Sequence, residues 1–437
     1  MIEALQRAFS IPELRQRLLF VLGAFMVFAI GAHIPVPGLD HKKLEGVLSS
    51  MGGLLSLVDV FSGGALRRTS IFAMGITPYI NASIIMQVMA IAIPQLEQMQ
   101  KEGEAGRKRL ARITRRLTVG LAAMQAFGLT VMFASGGVNI PLTARIQIVV
   151  TLTAGSMFLL WLGEQVTQKG VGNGVSLMIF ASILLSLPYQ VNQIVAQLRA
   201  GTVSWFMVLF LIAVFIATIY AVVYITQGTR RIPIQHTKRV IGMRQTQAGA
   251  SYLPIKVNSA GVIPIIFAIS LLLFPATVVN AFPGQTGFIG WLKEAVNYLQ
   301  PGNNAFATLL YALLVIGFTY FYTSIVMNVQ EMADNLKKYG NYIPGIRPGK
   351  PTFEYLERVI SRITLAGAVF LALIAVLQYI LPGMSQFRSF SLIGGTSLLI
   401  VVGVAIETMQ AIEAQLLMRN YEGFIKSGGQ RSTIGGR

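Results

Sequence analysis

Few side chains in this chain are placed to do chemistry. Its histidines are His33, His41 and His236, and its aspartates are Asp40, Asp59 and Asp334. His41 and Glu45 stand four apart, a spacing that shares a helix face, but two ligands do not make a zinc site. No serine–histidine or paired-aspartate arrangement offers a nucleophile and its base. No GxxxxGK[ST] loop is present to cradle a nucleotide. With zero cysteines, disulfides and thiolate metal sites are excluded. Ion-coupled transport and intramembrane catalysis both use ionisable groups near mid-bilayer. Here Glu164 and Glu407 come nearest to long apolar runs, each towards the end of its run, where a carboxylate reaches water. The expectation is a protein that is not an enzyme and uses no cofactor or metal.

The elements that hold these residues are membrane spans. Of 437 residues, 54% are hydrophobic and 12% charged, about half the charge of a soluble domain, and the mean hydropathy is +0.63. Apolar runs of roughly 18–25 residues recur, the length a helix needs to cross the hydrocarbon. The alternation over about 10 residues that marks a β-barrel is absent. The segment "MIEALQRAFSIPELRQRLLF" is too long and too charged to be a cleavable signal, so the first span is expected to be retained. The sequence predicts an all-α polytopic membrane protein of about ten transmembrane helices, at 18–34, 71–93, 117–134, 147–166, 174–190, 204–225, 259–281, 305–327, 362–381 and 392–412.

The net charge of +18 is unevenly spread. With the N-terminus inside, the outer segments hold only Lys42, Lys43, Arg67, Arg68, Arg145, Arg199, Lys293 and Arg388 of the 35 basic residues. The positive-inside rule then puts both termini in the cytoplasm. Two inner loops, 226–258 and 328–361, are far longer than a turn between packed helices requires. They could be solvated, attract anionic lipid or dock a cytosolic partner, and their length favours docking.

A short repeat joins the two ends of the chain. "GITPYINA" (75–82) and "GVIPIIFA" (261–268) align Gly75, Pro78, Ile80 and Ala82 with Gly261, Pro264, Ile266 and Ala268. They lie five spans apart, an odd number, so two five-span halves would be inverted, as in many transport proteins. Ile80 with Ile84, and Ile179 with Ile183, stack four apart on their helices. Such aliphatic faces serve ordinary packing or a dewetting gate, and spacing does not choose between them.

Longer stretches carry a resemblance. "SGGALRRTSIFAMGITPYINASIIMQ" (62–87), "GNGVSLMIFASI" (172–183), "LPIKVNSAGVIPIIFAIS" (253–270), "YIPGIRPGKPT" (342–352) and "GGTSLLIVV" (394–402) resemble the SecY family, the channel subunits of the bacterial Sec protein translocase, over essentially the whole length. The resemblance implies two inverted halves, 1–190 and 191–437, around an hourglass pore, with a cytosolic tail at 413–437. It implies a pore ring of Ile80, Ile84, Ile179, Ile183, Ile266 and Ile400. It also implies a re-entrant plug half-helix at about 55–66, with Val58, Asp59 and Phe61 in it and Gly63-Gly64 as its hinge. Arg67 and Arg68 then hold the following connection at the outer water boundary. The two long loops become docking sites for the SecA motor and the ribosome, including its RNA phosphates, through Lys238, Arg239, Arg244 and Arg347.

Asn81, Ser83 and Gln87 are candidates either for a lateral gate that releases transmembrane segments into lipid or for bonding to neighbouring helices, and the sequence does not choose between the two. The implied partners are SecE, SecG, SecA, the ribosome, secretory and membrane-protein substrates, and anionic lipid. The implied location is the cytoplasmic membrane of a bacterium. A secondary transporter of a small solute is the alternative, and the missing midplane charges weigh against it.

Overall fold

The computed structural model describes residues 2–37, 59–135, 140–236, 240–241, 244–245, 250–280, 282, 287–384 and 395–431. Its helices are α1 (Ile2–Ser10), α2 (Pro12–Gly31), α3 (Thr77–Ala92), α4 (Pro94–Lys101), α5 (Glu104–Ser135), α6 (Leu142–Lys169), α7 (Gly174–Arg199), α8 (Trp205–Gln227), α9 (Ile263–Asn280), α10 (Phe288–Tyr298), α11 (Ala305–Val326), α12 (Val329–Lys338), α13 (Lys350–Met384) and α14 (Thr396–Arg431). Each of the ten expected spans holds one of them. Among the described residues, eight helices are long and apolar enough to cross a membrane, nine if α3 and α4 count as one broken span bent by 106°. The break falls at Ile93, which is extended at φ −112°, as a residue before proline prefers. The remaining expected span is α9, whose described apolar stretch is short, Ile263–Leu272. Helices α5 and α13 begin about a dozen residues before the spans read from hydropathy, because hydropathy marks the lipid slab and a helix continues into water.

The chain forms two compact units. Met1–Gln193, Phe274–Lys293 and Ile400–Arg437 make the first, Ile194–Leu273 and Glu294–Leu399 the second. In the first, α3 packs on α5, α5 on α6 and α6 on α2. The expected second span differs from its apolar run: residues 71–76 are turns, and helix starts only at Thr77. The reason is local. Gly75 takes φ +56°, and Phe72 is stacked between Phe28 of α2 and Phe158 of α6, with ring centroids 5.9 Å apart on each side. A Cβ on Gly31 would collide with the Phe72 ring, and one on Gly155 with the Ile71 carbonyl. Lipid is as apolar as this ring, so packing rather than transfer from water holds the segment in place. Its backbone is satisfied within protein: Ile71 N–H donates to the Ile34 carbonyl at 3.0 Å and Val36 N–H to the Thr69 carbonyl at 2.8 Å. Non-helical backbone at membrane depth requires this.

The second unit adds short strands to the helical frame, in the long loops between its helices. Strands β1 (Thr229–His236), β4 (Ala250–Lys256) and β5 (Asn341–Tyr342) form an antiparallel sheet in the order β4-β1-β5, while β2 (Val240–Ile241) pairs with β3 (Arg244–Gln245). The two long loops, 226–258 and 328–361, are therefore one structure, since β5 from the second pairs with β1 from the first. In "TRRIPIQH", Ile232 and Ile234 alternate inward onto Ile255, Ile343, Leu356 and Ile360, while Arg231, Pro233 and Gln235 face out. This is the period-two pattern of a half-buried strand.

Candidate functional site

The turn before α3 is built from left-handed glycines. Asp59–Phe61 close a helical turn, and Gly63 and Gly64 follow at φ +74° and +77°, a region that glycine enters without steric cost. Gly63 is also confined: an added Cβ would stand 3.1 Å from the Ser182 carbonyl oxygen of α7. The glycine turn thus sits against the turn of α7 between Ile179 and Ile183. Residues 55–58, including Val58, lie outside the described residues. Phe61 is half-buried beside the glycine turn.

Asp59 and Arg67 close this glycine turn on themselves. The backbone N–H of Arg67 donates to Asp59 Oδ1 at 2.9 Å, and Arg67 Nη2 pairs with Asp59 Oδ2 at 3.2 Å. The guanidinium carbon lies 4.0 Å from the centroid of the Tyr189 ring of α7, a cation–π distance. Ser62 adds a smaller clip, its hydroxyl donating to the Asp59 carbonyl and accepting from Leu66 N–H. Burial pushes the Asp59 carboxyl above its ordinary value of 3.8, while the Arg67 N–H and the Arg67 and Arg68 charges pull it back. Arg68 Nη1 donates to His33 Nε2 at 2.9 Å, which leaves His33 Nδ1 to donate to the Ala29 carbonyl at 2.8 Å. Each of the two arginines thus holds a named partner, Asp59 and Tyr189 for Arg67 and His33 for Arg68. The sequence signal was an aspartate eight residues before an arginine across two glycines; nothing in it pointed to Tyr189.

The six isoleucines sit on four helices. Ile80 and Ile84 are on α3, Ile179 and Ile183 on α7, Ile266 on α9 and Ile400 on α14. All are buried except Ile80, which is half-buried. The repeat has a shared local geometry. Gly261, like Gly75, has positive φ, at +64°, and Pro264, like Pro78, is the second residue of its helix, where a missing N–H costs nothing. Of the polar residues on α3, Asn81 is buried and Gln87 donates to Ser83 Oγ at 3.1 Å. Glu164 of α6 takes both carboxylate oxygens to Arg115 of α5 at 2.8 Å, a pair the sequence did not suggest.

On the sheet side, Arg347 is exposed while its carbonyl accepts from Thr352 Oγ1 at 2.8 Å. Gly345 and Gly349 flank it at φ +81° and +101°, and buried Ile343 anchors the loop to the core under β1. Arg244 lies in β3; Lys238 and Arg239 are outside the described residues.

The chain matches known proteins over nearly its whole length. Residues 70–409 match the SecY family model. The protein translocase subunit SecY of Thermotoga maritima is 44% identical over 440 residues, covering 98% of each chain. This chain belongs to the SecY family. It is a multi-pass membrane protein and forms a protein-conducting translocation channel. A solved SecY whose plug domain stabilises the closed state and maintains a membrane seal aligns with a TM-score of 0.66 at 19% identity, over 92% of each chain. Sec61 from a canine ribosome–channel complex of the endoplasmic reticulum aligns at 0.60 and 16%, again over 92% of each. The fold is therefore common to SecY and Sec61 channels.

Proposed function

We propose that an unfolded polypeptide passes this channel through a ring of Ile80, Ile84, Ile179, Ile183, Ile266 and Ile400. Aliphatic side chains hold no stable water column, so a closed ring stops hydrated ions. They also offer no fixed hydrogen-bond partner, so they tolerate any passing sequence. The segment up to Phe61 acts as the plug and Gly63-Gly64 as its hinge. The observation that carries this reading is the left-handed hinge seated on α7 between Ile179 and Ile183. The halves 1–190 and 191–437 form an inverted pair, supported by the matching glycine–proline geometry at Gly75 and Gly261. Transmembrane segments leave sideways along α3, where Asn81, Ser83 and Gln87 line the exit. A signal helix shifts this gate only by its differential affinity for the open state.

The chain itself is not an enzyme, and force comes from partners. The exposed Arg347, with Lys238, Arg239 and Arg244, binds the SecA motor and the ribosome, the latter through RNA phosphates without base readout. SecE and SecG complete the complex in the cytoplasmic membrane of a bacterium, with both termini inside. Ile400→Asn tests the ring: it is expected to wet the constriction and raise ion leak through purified channels in planar bilayers. Unchanged leak removes Ile400 from the seal.

A further inference from the structure

We propose that Gln190 of α7 takes over Arg67 when Asp59 leaves it, so that the glycine turn exchanges one bond for another instead of stranding a charge. Arg67 pairs with the Asp59 carboxylate through Nη2. Its other terminal nitrogen, Nη1, is buried and has no hydrogen-bonding partner within the protein. Gln190 is 3% exposed, and its Nε2 donates to Ser186 Oγ at 3.0 Å. Its Oε1 is buried and unpartnered as well. A donor thus lacks an acceptor and an acceptor lacks a donor, a costly state for buried groups. Tyr189 brings the two together. The Arg67 guanidinium carbon lies 4.0 Å from the centroid of its ring, and Gln190 is the next residue, with its Cα about 3.8 Å further along the chain.

Helix periodicity puts Gln190 on one buried strip of α7 with Ile179, Ile183 and Ser186. The strip is aliphatic at the two isoleucines and polar at the serine and glutamine. Gly63 stands over the same stretch, against the Ser182 carbonyl. Chain order gives the exchange its direction. Asp59 precedes Gly63 and Gly64, which turn at φ +74° and +77°, and Arg67 follows them. Rotation at the glycines carries Asp59 away while Arg67 keeps its place over Tyr189. The freed guanidinium then turns to the Gln190 amide oxygen, and the open form gains a bond that the closed form lacks. A carboxylate bonds a guanidinium roughly twice as strongly as a neutral acceptor does. The closed form therefore keeps its advantage, and Gln190 only lowers the cost of leaving it. The link to channel opening rests on the plug reading proposed above; the exchange of partners does not.

The test is ion leak through purified full-length channels in planar bilayers, with Gln190→Glu made in two backgrounds. In the wild type the new carboxylate competes with Asp59 for Arg67, and leak is expected to rise about tenfold. In channels that carry Arg67→Gln and Asp59→Asn neither charged partner is left, and the same change should move leak by less than about twofold. An equal rise in both backgrounds would be the work of a buried charge alone and overturns the proposal. No rise in either overturns it too. Gln190→Leu supplies a variant without a buried charge. The chain has no cysteine, so Phe61→Cys with a water-soluble thiol reagent reads release of the turn in resting channels. Gln190→Leu is expected to slow that labelling about fivefold where Arg67 is present and to leave it unchanged in Arg67→Gln; equal rates with and without Arg67 overturn the exchange. Should Gln190→Glu raise leak only beside Arg67 and Asp59 while the labelling of Phe61→Cys stays slow, the exchange stands and the plug reading fails.

Discussion

Replacing Arg67 by glutamine strands the Asp59 carboxylate at the hinge. At 3.2 Å and an effective dielectric of about 20, the raw attraction is roughly 5 kcal/mol. The two side chains are 24% and 12% exposed, and dehydration opposes most of that gain, so the net loss is about 2 kcal/mol, below the 3–5 of a fully buried broken pair. Losing the contact with Tyr189 adds about 1 kcal/mol. Together they raise the population of the released hinge about 100-fold, at 1.4 kcal/mol per decade. Ion leak through purified channels in planar bilayers reads that population. A second change, Asp59→Asn, keeps an acceptor for the Arg67-position N–H and removes the stranded charge, so the double variant should recover most of the loss.

Acid should do the same. Burial already raises the Asp59 carboxyl above 3.8, and losing the neighbouring cation raises it further. A group whose folded value is raised contributes stability that is complete below its unfolded value and is lost as pH climbs through the folded one. Leak of Arg67→Gln should therefore fall as pH is lowered from neutral towards the ordinary carboxylate range. Equal leak in the single and double variants, at every pH, would refute the clasp.

Other outcomes follow from the same geometry. Arg347→Glu reverses the charge of an exposed guanidinium whose backbone carbonyl is held by Thr352 and should lower motor-driven translocation about tenfold or more, since a close opposite-charge contact is worth about 1.5 kcal/mol or above; the protein should still fold and insert. Normal translocation would reduce Arg347 to a topology signal. Gly155→Val forces a Cβ into the Ile71 carbonyl and should destabilise the fold by about 3 kcal/mol, read as a lower unfolding temperature in detergent. An unshifted temperature would mean that residues 71–76 do not pack against α6. Ile232→Asp places a charge in the core beneath the sheet, so proteases added from the inner side should cut both long loops at once; cleavage of only one would separate them.

The spans were legible because lipid imposes a composition on about twenty residues at a time. What lay within or beside them was less so. Residues 71–76 read as apolar helix, since hydropathy is blind to the left-handed Gly75 and to Phe72 caught between two rings. The sheet was hidden for a different reason. Gln235 and Tyr342 are partners in it, and no local pattern links residues so far apart in sequence. Helices α4, α10 and α12 are short and amphipathic, lying beside spans that dominate any hydropathy window. The hinge was visible as Gly63-Gly64, but its clasp needed Tyr189, which only packing brings near. The repeat was the best-preserved signal, because glycine and proline fix backbone geometry independently of their neighbours.

The most direct measurement is site-specific crosslinking of a stalled secretory chain to single cysteines at Ile80, Ile179, Ile266 and Ile400, made feasible by the cysteine-free background. Adducts at all four positions, with none at Leu209 on the outside of α8, 64% exposed, are predicted. A precursor that crosslinks to Leu209 and to none of the four would place the path elsewhere.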